Sequence, residues 1–562
     1  MAITPLPTAP SRSDPNNFTA RADAFMTALP TFATEANALQ ADVTAKQVTA
    51  SAAAVTATTQ ATNASASSAV ATSQAVSAAA SADAASVIAT TQIWISGTTY
   101  VVGNIRFSPV NFQNYRRKTA GAGTIDPSID SANWAAVKPT YTAAELGFYL
   151  TPNIGTAGTQ GFGVGICLNL PSGFSKMTGT DDAASENYGN YQYTDGSVMC
   201  WIPAFYYKIG TGSNGLDINI VGIKDYSYYA DVTTANAAGY ALHRAFYNAG
   251  VVQKGVFVDK YQCSNNGGIA SSLKLGNPLS SALVHNPFSG LTGLTTGDNI
   301  LGGALKAAKT RGAKFFCNSR FIFSALALLS LAHGQAATST TPCAWYDATG
   351  VNNFPKGNNN NALKDANDAT VTYITDGYPN CGQTGSASNL AKTAHNGQSC
   401  GVVDLNGNLW EINTGFISNG TNYYLLKTSV DINALTGSNT LSTDAWGATS
   451  IAANYDSLGA TYGALTASST AKTFGAATQV FDGATSGTAW SATGSGIPLL
   501  TGIGGTNQMG NDVLYDYRPN EMCAIAGGSW ADGALPGVWT LALSNFRSNS
   551  YYAFGFRSAL YL

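Results

Sequence analysis

The chain has 562 residues, of which only 10% are charged, and its formal net charge is −3. Ordinary soluble domains carry about 25% charged residues, so uncharged polar groups must cover most of this surface, as is common in extracellular adhesins and fibres. The balanced charge and the lack of a Lys- or Arg-rich stripe argue against nucleic acid as a partner. At roughly 100–200 residues per domain, the chain has room for about three or four domains.

Residues 1–30 contain prolines at a density that favours an extended arm over a packed core. These are Pro5, Pro7, Pro10 and Pro15, and a short amphipathic stretch follows over 18–29. We interpret residues 1–30 as an attachment arm, with an unattached flexible terminus as the alternative. The segment has neither a basic region nor an apolar stretch of the kind found in secretory signals.

Residues 31–91 consist almost entirely of Ala, Ser, Thr, Val and Gln. Small apolar residues recur at heptad spacing, at Val48, Val55, Thr62, Ala69 and Val76. This pattern predicts a narrow α-helical coiled coil. A helix of this composition cannot bury enough surface alone, so the prediction includes a homo-oligomer. Disordered low-complexity sequence is the alternative.

Residues 92–138 form a short segment rich in aromatic residues. Its skeleton of Trp94, Tyr100, Gly103, Pro127 and Trp134 resembles the small carbohydrate-binding modules of chitinases. In so small a module the tryptophans can simply be core, whereas an exposed ring could stack on a sugar. We therefore predict a small β module that either binds carbohydrate or only connects its neighbours.

Residues 139–562 lack helical periodicity except near 236–248 and 319–333. Short strand-like runs are separated by Gly, Asn, Ser and Thr, which predicts an irregular mixed α+β domain with long loops. The apolar run 321–332 is too short to span a bilayer and predicts a buried helix.

Several motifs in this region occur in a characteristic order, at residues 201–206, 257–265, 404–411, 527–530 and 555–558. Together they resemble the C-type-lectin-like fold shared by formylglycine-generating enzymes and phage tropism determinants. The resemblance covers roughly residues 195–562, with an insertion near 417–515. The expected fold class is therefore a multidomain fibrous chain with an N-terminal coiled coil, a small β module and a C-terminal mixed α+β C-type-lectin-like domain.

The motif residues are interpreted as scaffold. Gly407 suits a tight connection, Trp410 and Trp530 supply large buried faces, and Glu411 with Arg557 is predicted to form a buried ion pair or to cap carbonyls.

No catalytic residue, metal site or cofactor is predicted. Formylglycine-generating enzymes use a cysteine pair between the GGS and GFR motifs, whereas residues 531–554 here contain no cysteine. The acid pairs Asp181/Asp182 and Asp365/Asp368 are too close in sequence for a two-carboxylate glycosidase, although a glycan-degrading tail spike remains the alternative function. The eight cysteines form no CxxC pair and are expected to be buried free thiols, although extracellular oxidation could pair some of them.

The resemblance implies a phage tail-fibre adhesin, and residues 10–25 also resemble the start of known tail-fibre proteins. Residues 1–30 would then join the tail or baseplate, 31–91 would form the shaft of a homotrimer, and 139–562 would bind a host glycan or outer-membrane protein. The protein would be assembled in the host cytoplasm, belong to the virion and act outside the cell without entering a membrane.

In tropism determinants the stretch that matches residues 530–555 is the diversified receptor-contacting face, and an adenine-directed retroelement could produce such residues. Its Asn, Ser and Tyr content is typical of adaptable binding surfaces. The predicted receptor-binding residues are Asp532, Leu535, Trp539, Asn545, Phe546, Arg547, Asn549, Tyr551 and Tyr552. Among the aromatic residues nearby, Trp539 and Phe554 are expected to be at least partly buried, and Tyr551 and Tyr552 to be the most exposed.

Overall fold

The computed structural model describes residues 3–89, 92–111, 113–137, 153–210, 220–348, 354–435, 451–459, 468–473, 512–517, 519 and 521–562. The chain divides into two units, Met1–Thr142 and Ala143–Leu562. Most of the insertion predicted near 417–515 lies outside the described residues.

The first unit begins with one long helix, α1 (Phe18–Ala89), of 72 residues. Its Ala-rich sequence has high helix propensity, and the helix starts inside the segment interpreted as an arm. Before it, the Thr4 backbone N–H and Oγ1 donate to the Glu35 carboxylate over 2.6 and 2.9 Å. The start of the chain therefore contacts α1 near the beginning of the 31–91 segment, beyond the predicted arm.

Five short strands follow among the described residues of the first unit. They are β1 (Thr98–Tyr100), β2 (Ile105–Phe107), β3 (Asn114–Arg117), β4 (Gly121–Gly123) and β5 (Trp134–Ala136). Strand β1 pairs with β4, and β2, β3 and β5 form a three-stranded sheet. The rings of Tyr100 and Trp134 pack edge to face in the core, 5.1 Å apart, whereas Trp94 is half-buried. Trp134 is therefore a core residue of this unit, which is one of the two alternatives given for the tryptophans.

The described residues of the second unit are mainly strands. Its helices are α2 (Val232–Ala237), α3 (Gly303–Lys309), α4 (Arg320–Ala336), α5 (Leu390–Thr393) and α6 (Ile451–Asn454). The strands are β6 (Phe174–Lys176), β7 (Asn190–Tyr193), β8 (Val198–Pro203), β9 (Phe205–Gly210), β10 (Ile220–Asp225), β11 (Ala241–Leu242), β12 (Tyr247–Asn248), β13 (Val251–Val252), β14 (Gly255–Asp259), β15 (Ser264–Asn266), β16 (Ile269–Ser271), β17 (Phe316–Cys317), β18 (Trp410–Asn413), β19 (Phe416–Ser418), β20 (Tyr423–Leu426), β21 (Tyr455–Gly459), β22 (Ser468–Thr473), β23 (Val513–Asp516), β24 (Met522–Gly527), β25 (Gly537–Phe546), β26 (Phe554–Gly555) and β27 (Ser558–Leu560).

These strands form two larger sheets and several small ones. One has the order β17-β27-β14-β8-β7-β6, and the other has the order β22-β23-β25-β24-β18-β26. Most neighbours are antiparallel, but β18 runs parallel to β26 and β23 parallel to β25. The small sheets are β10-β9-β11, β19-β20-β21, β12-β13 and β15-β16.

Helix α4 lies in the core of the second unit and contacts β10, β24 and β25. It begins at Arg320 because the Ser319 side chain caps it, accepting the Ile322 N–H over 3.2 Å. All residues from 320 to 334 are buried. This confirms the buried helix predicted near 319–333.

The fold class predicted for residues 139–562 is wrong. A mixed α+β C-type-lectin-like domain is expected there, but the described residues are dominated by strands, and α4 alone among their helices exceeds seven residues. The helix expected over 236–248 shows why helix was replaced by strand in this region. Helix α2 ends at Ala237 before Gly239, whose φ of +81° is left-handed, and Ala241–Leu242 then pairs with β9.

Candidate functional site

A buried ion pair anchors the frame of the candidate site. Arg557 Nε donates to Glu411 Oε2 over 2.6 Å, and both side chains are buried. Arg557 also donates to the carbonyls of Asp259 (3.0 Å) and Val403 (2.9 Å). Burial alone would lower the pKa of Arg557, but Glu411 raises it above its ordinary value. The predicted pair is therefore confirmed, with carbonyl capping in addition.

Strand β18 carries Glu411 and pairs with β24 on one edge and β26 on the other. At the end of β24, Gly528 has a φ of +89°, and a Cβ there would lie 2.5 Å from Pro536 Cβ. Glycine is thus required at this turn. Because β26 is an edge strand of this sheet, the connection from β25 to β26 ends at one edge of the sheet.

Residues 546–554, which we call the 546–554 loop, make this connection. At its start Phe546 N–H donates to Asn549 Oδ1 and Asn549 N–H to the Phe546 carbonyl, both over 3.0 Å. Farther on, Ser281 Oγ accepts the Tyr551 N–H (2.9 Å) and donates to the Tyr551 carbonyl (3.0 Å). Ser550 Oγ in turn donates to the Ser281 carbonyl over 2.6 Å. Because side chains hold the loop backbone at several points, the loop has a defined conformation.

His285 holds the same loop from beneath. Its Nδ1 lies 2.7 Å from the Tyr552 carbonyl, which can only accept, so Nδ1 carries the proton and donates. Its Nε2 lies 2.6 Å from Asp376 Oδ2, and both side chains are almost fully buried. The loop containing Asp376 is thereby connected to the backbone of the 546–554 loop.

Aromatic rings gather above His285. Tyr552 packs against Tyr551, Tyr378 and Trp530, with ring centroids 4.1, 5.5 and 5.9 Å apart. Tyr551 is 42% exposed and donates its hydroxyl to Tyr552 over 2.6 Å. Burial and this hydrogen bond raise the pKa of Tyr551 to about 12, so the phenol is neutral at physiological pH. We call Tyr378, Trp530, Tyr551 and Tyr552 the aromatic cluster.

Two large aliphatic side chains are exposed in the segment that holds the 546–554 loop. Leu283 and Val284 are 62% and 70% exposed, and they lie between Ser281 and His285, which both bond to the 546–554 loop. Neighbouring exposed apolar side chains can form part of a contact surface. Sequence reasoning missed this pair, although a Leu–Val pair beside the turn-forming Asn286–Pro287 was a usable signal.

The predicted receptor-binding residues fall into three groups. Leu535, Phe546 and Tyr551 are exposed, whereas Asp532, Asn545, Asn549 and Tyr552 are half-buried. Trp539 and Arg547 are buried at 0% and 1% exposure, so they support the surface from below and do not reach it. Trp539 is thus more deeply buried than expected because β25 is a central strand of its sheet.

Asp532 interacts electrostatically with Tyr551 of the aromatic cluster. Burial raises its pKa, while the Ser529 hydroxyl, 2.8 Å away, opposes that rise. Asp532 contributes in turn to the raised pKa of Tyr551. Asp532 therefore lies close enough to Tyr551 to interact with it electrostatically.

The acid pairs considered for glycan cleavage are engaged elsewhere. Asp181 pairs with Lys176 over 2.8 Å, and Asp368 with Lys392 over 2.5 Å. Asp365 accepts from several N–H groups of its own loop, including that of Gly357 at 2.9 Å. These acidic side chains therefore stabilise their own loops and pair with nearby lysines.

Polar side chains of the 404–411 motif are likewise bonded to other parts of the protein. Asp404 accepts from the Tyr373 hydroxyl and the Gly385 N–H over 3.1 and 2.7 Å, and Asn408 Oδ1 accepts the Gly382 N–H over 2.8 Å. Protein donors thus occupy the side-chain oxygens of Asp404 and Asn408.

A polar cavity of about 370 Å³ opens elsewhere in the second unit. Its lining includes Gln160, Glu186, Thr340 and Gln398. Glu186 is the one carboxylate among the described residues that line it. A single carboxylate does not provide the acid and base pair that glycoside hydrolysis needs.

The histidines and cysteines are mostly packed in the interior. Burial lowers the pKa of His243 to about 3 and of His333 and His395 to about 4. All eight cysteines are buried free thiols, as expected. Three donor groups nevertheless converge, His285, Asp376 and Cys381, which the sequence did not indicate. Among the residues that the structure describes, none of the helices is both long and apolar enough to cross a membrane.

No protein-family model matches the chain, and no curated protein matches it significantly. Among solved structures, it is similar to the Major Tropism Determinant I1 variant at 11% identity and a TM-score of 0.25, covering 83% of this chain and 96% of that chain. The P3c variant of the same protein gives 13% identity and a TM-score of 0.26 over the same shares of each chain. TM-scores this low establish neither a common fold nor a common function.

Proposed function

We propose that this chain is a phage tail-fibre adhesin, not an enzyme, and that it binds a host surface receptor through the 546–554 loop and the aromatic cluster. The observation that carries the proposal is the placement of Tyr551. Its side chain is 42% exposed while its backbone N–H and carbonyl are both held by Ser281. A large amphipathic side chain on a fixed backbone is the combination that binding surfaces use.

The fixed backbone matters for affinity. Ordering a loop on binding costs free energy, and a loop already held in place avoids most of that cost. Ser281 and His285 provide this hold through side-chain hydrogen bonds to residues 551 and 552. Tyrosine adds contact area with few rotatable bonds, and neighbouring Asn and Ser side chains supply adaptable hydrogen bonds.

The receptor-contacting residues in this proposal are the exposed and half-buried members of the predicted set. They are Asp532, Leu535, Asn545, Phe546, Asn549, Tyr551 and Tyr552, to which we add Leu283 and Val284. Trp539 and Arg547 position the surface from below. The receptor is a host glycan or an outer-membrane protein, since aromatic faces stack on sugars and apolar side chains pack against protein. Variation of these residues by a retroelement is part of the same hypothesis.

The first unit is proposed to attach the chain to the phage tail and to form the oligomer. Residues 1–30 would join the tail or baseplate, residues 31–91 would form the shaft of a homotrimer, and residues 92–138 would connect the shaft to the tip or bind carbohydrate. Met26, Val43 and Val48 of α1 are exposed at 65%, 55% and 65%. An isolated helix that leaves its apolar side chains in water gains little stability, so partner chains are expected to cover them.

A trimer would also strengthen binding. Several receptor sites on one particle raise the overall affinity by about 10²–10⁴-fold where the geometry permits simultaneous contact. Weak contacts by single 546–554 loops would then suffice for attachment.

The alternative is a tail spike that degrades glycan. The test incubates labelled full-length chain with a panel of bacterial strains and with their purified surface polysaccharides. Binding to particular strains without shortening of the polysaccharide supports the adhesin. Shortening of the polysaccharide would support the tail spike, and a chain that binds none of the strains would count against both.

A further inference from the structure

His285, Asp376 and Cys381 converge beneath the aromatic cluster. One donor atom from each, an imidazole nitrogen, a carboxylate oxygen and Sγ, lies within 4.8 Å of the other two. We propose that these three side chains bind a zinc ion that anchors the backbone of the 546–554 loop. This goes beyond the proposed adhesin function and does not depend on it.

The distances suit a tetrahedral metal. Zinc bonds of about 2.0–2.3 Å separate neighbouring ligand atoms by roughly 3.3–3.8 Å. His285 Nε2 and Asp376 Oδ2 are 2.6 Å apart. Insertion of the ion between them therefore requires them to separate by only about 1 Å.

The donor set selects for zinc. Thiolate and imidazole are the ligands that Zn²⁺ favours. Calcium and magnesium take oxygen ligands and do not select a thiolate. A site with one sulfur, one nitrogen and one oxygen donor is therefore assigned to a borderline-soft divalent ion.

The surroundings orient all three donors. The Nδ1–H of His285 donates to the Tyr552 carbonyl over 2.7 Å, which turns Nε2 toward Asp376. Metal-binding histidines are commonly fixed by such a second hydrogen bond. The other oxygen of Asp376, Oδ1, accepts the Tyr378 N–H over 2.8 Å.

The loop itself brings the other two ligands together. The Asp376 N–H donates to the Cys381 carbonyl over 3.0 Å, and the Cys381 N–H donates to the Tyr378 carbonyl over 3.2 Å. These backbone bonds place Asp376 and Cys381 on the same side of the loop. The three donor side chains are buried, so the ion would be structural and shielded from water.

The ion would link two parts of the proposed receptor surface. His285 holds the main chain of Tyr552, and Asp376 precedes Tyr378 by two residues. A bound metal would therefore fix the positions of Tyr378 and Tyr552 relative to each other.

The test uses tag-free full-length chain, loaded with Zn²⁺ for metal analysis and with Co²⁺ for absorption spectroscopy. We expect about one tightly bound ion per chain and a thiolate-to-cobalt charge-transfer band. The Cys381→Ser variant should lose the band, while the matched control Cys167→Ser, which changes another buried thiol, should retain it. An unsubstituted chain that lacks the band would overturn the proposal.

A second variant distinguishes loss of the metal site from misfolding of the chain. Asp376→Asn keeps the shape of the side chain but removes its charge, and should weaken zinc binding by about 10-fold or more. Zinc affinity unchanged in Asp376→Asn, or a cobalt band that survives Cys381→Ser, would place the ion elsewhere and refute the assignment.

Discussion

Arg557 and Glu411 lie 146 residues apart in the chain and form a fully buried ion pair at the centre of the second unit. Arg557 also donates hydrogen bonds to the backbone carbonyls of Asp259 and Val403. Since β18, which carries Glu411, pairs with both β24 and β26, this contact ties together the strands that flank the proposed receptor surface.

Loss of one partner of this pair should be costly. We expect Glu411→Gln to lower the free energy of unfolding by about 3–5 kcal/mol, because Arg557 would remain as an uncompensated buried charge. Urea denaturation measures the change. Glu186→Gln, at an exposed glutamate, is the control and should shift stability by less than about 0.5 kcal/mol. A Glu411→Gln chain as stable as the control would contradict this account.

The turn after β24 should tolerate no side chain. Gly528→Ala would place a Cβ 2.5 Å from Pro536 Cβ at a φ of +89°, and should cost about 2–4 kcal/mol through strain and overlap. The control is Gly533→Ala, where φ is +66° and no atom lies within 4 Å of the new Cβ. That variant should lose only about 1 kcal/mol. Equal melting temperatures for the two variants would show that the overlap is relieved.

Stability should fall between about pH 6.5 and pH 4. Burial lowers the pKa of His333 and His395 to about 4, below the ordinary value of 6.5. In this range the unfolded chain binds more protons than the folded chain, so acidification favours unfolding. Each such histidine contributes about 1.4 kcal/mol per pH unit.

Denaturation curves at pH 7.5 and 5.5 test this dependence. The His333→Gln variant should lose less stability over that interval than the unsubstituted chain, since it has one fewer buried base. An unchanged difference between the two pH values would mean that His333 is not the source.

Self-association through α1 predicts a defined mass. Sedimentation equilibrium of the full-length chain should give about three chain masses. Val48→Asp should shift the population toward monomer, because the charge would be buried between helices. Val110→Asp, at a residue of the first unit that is 64% exposed outside α1, is the matched control and should remain trimeric. A monomeric unsubstituted chain would rule out the shaft.

The sequence predicted those parts of the structure that depend on local chemistry. The apolar run near 319–333 gave a buried helix because its residues are apolar on every side, and the paired motifs identified Glu411 with Arg557. The cysteines were also expected to be buried thiols.

Features set by tertiary contacts could not be predicted. The dominance of strands in the second unit depends on pairing between distant segments, as when Ala241–Leu242 joins β9 instead of extending α2. Trp539 and Arg547 are both in the predicted receptor-binding set, but the full burial of Trp539 depends on the central position of β25 in its sheet, and Arg547 directly follows that strand. His285 and Asp376 are 91 residues apart, so no spacing rule brings them together.

Receptor binding by Tyr551 is the central claim, and one comparison tests it most directly. Full-length chain, a Phe546→Ala/Tyr551→Ala variant and a Tyr228→Ala control would be labelled and applied to a bacterial strain that the unsubstituted chain binds. Tyr228 is 60% exposed elsewhere in the second unit, so its replacement also removes an exposed aromatic ring. We predict that the double variant loses at least about 10-fold in binding while its melting temperature and the binding of the control stay unchanged. Undiminished binding by a folded double variant would remove the 546–554 loop as the receptor site.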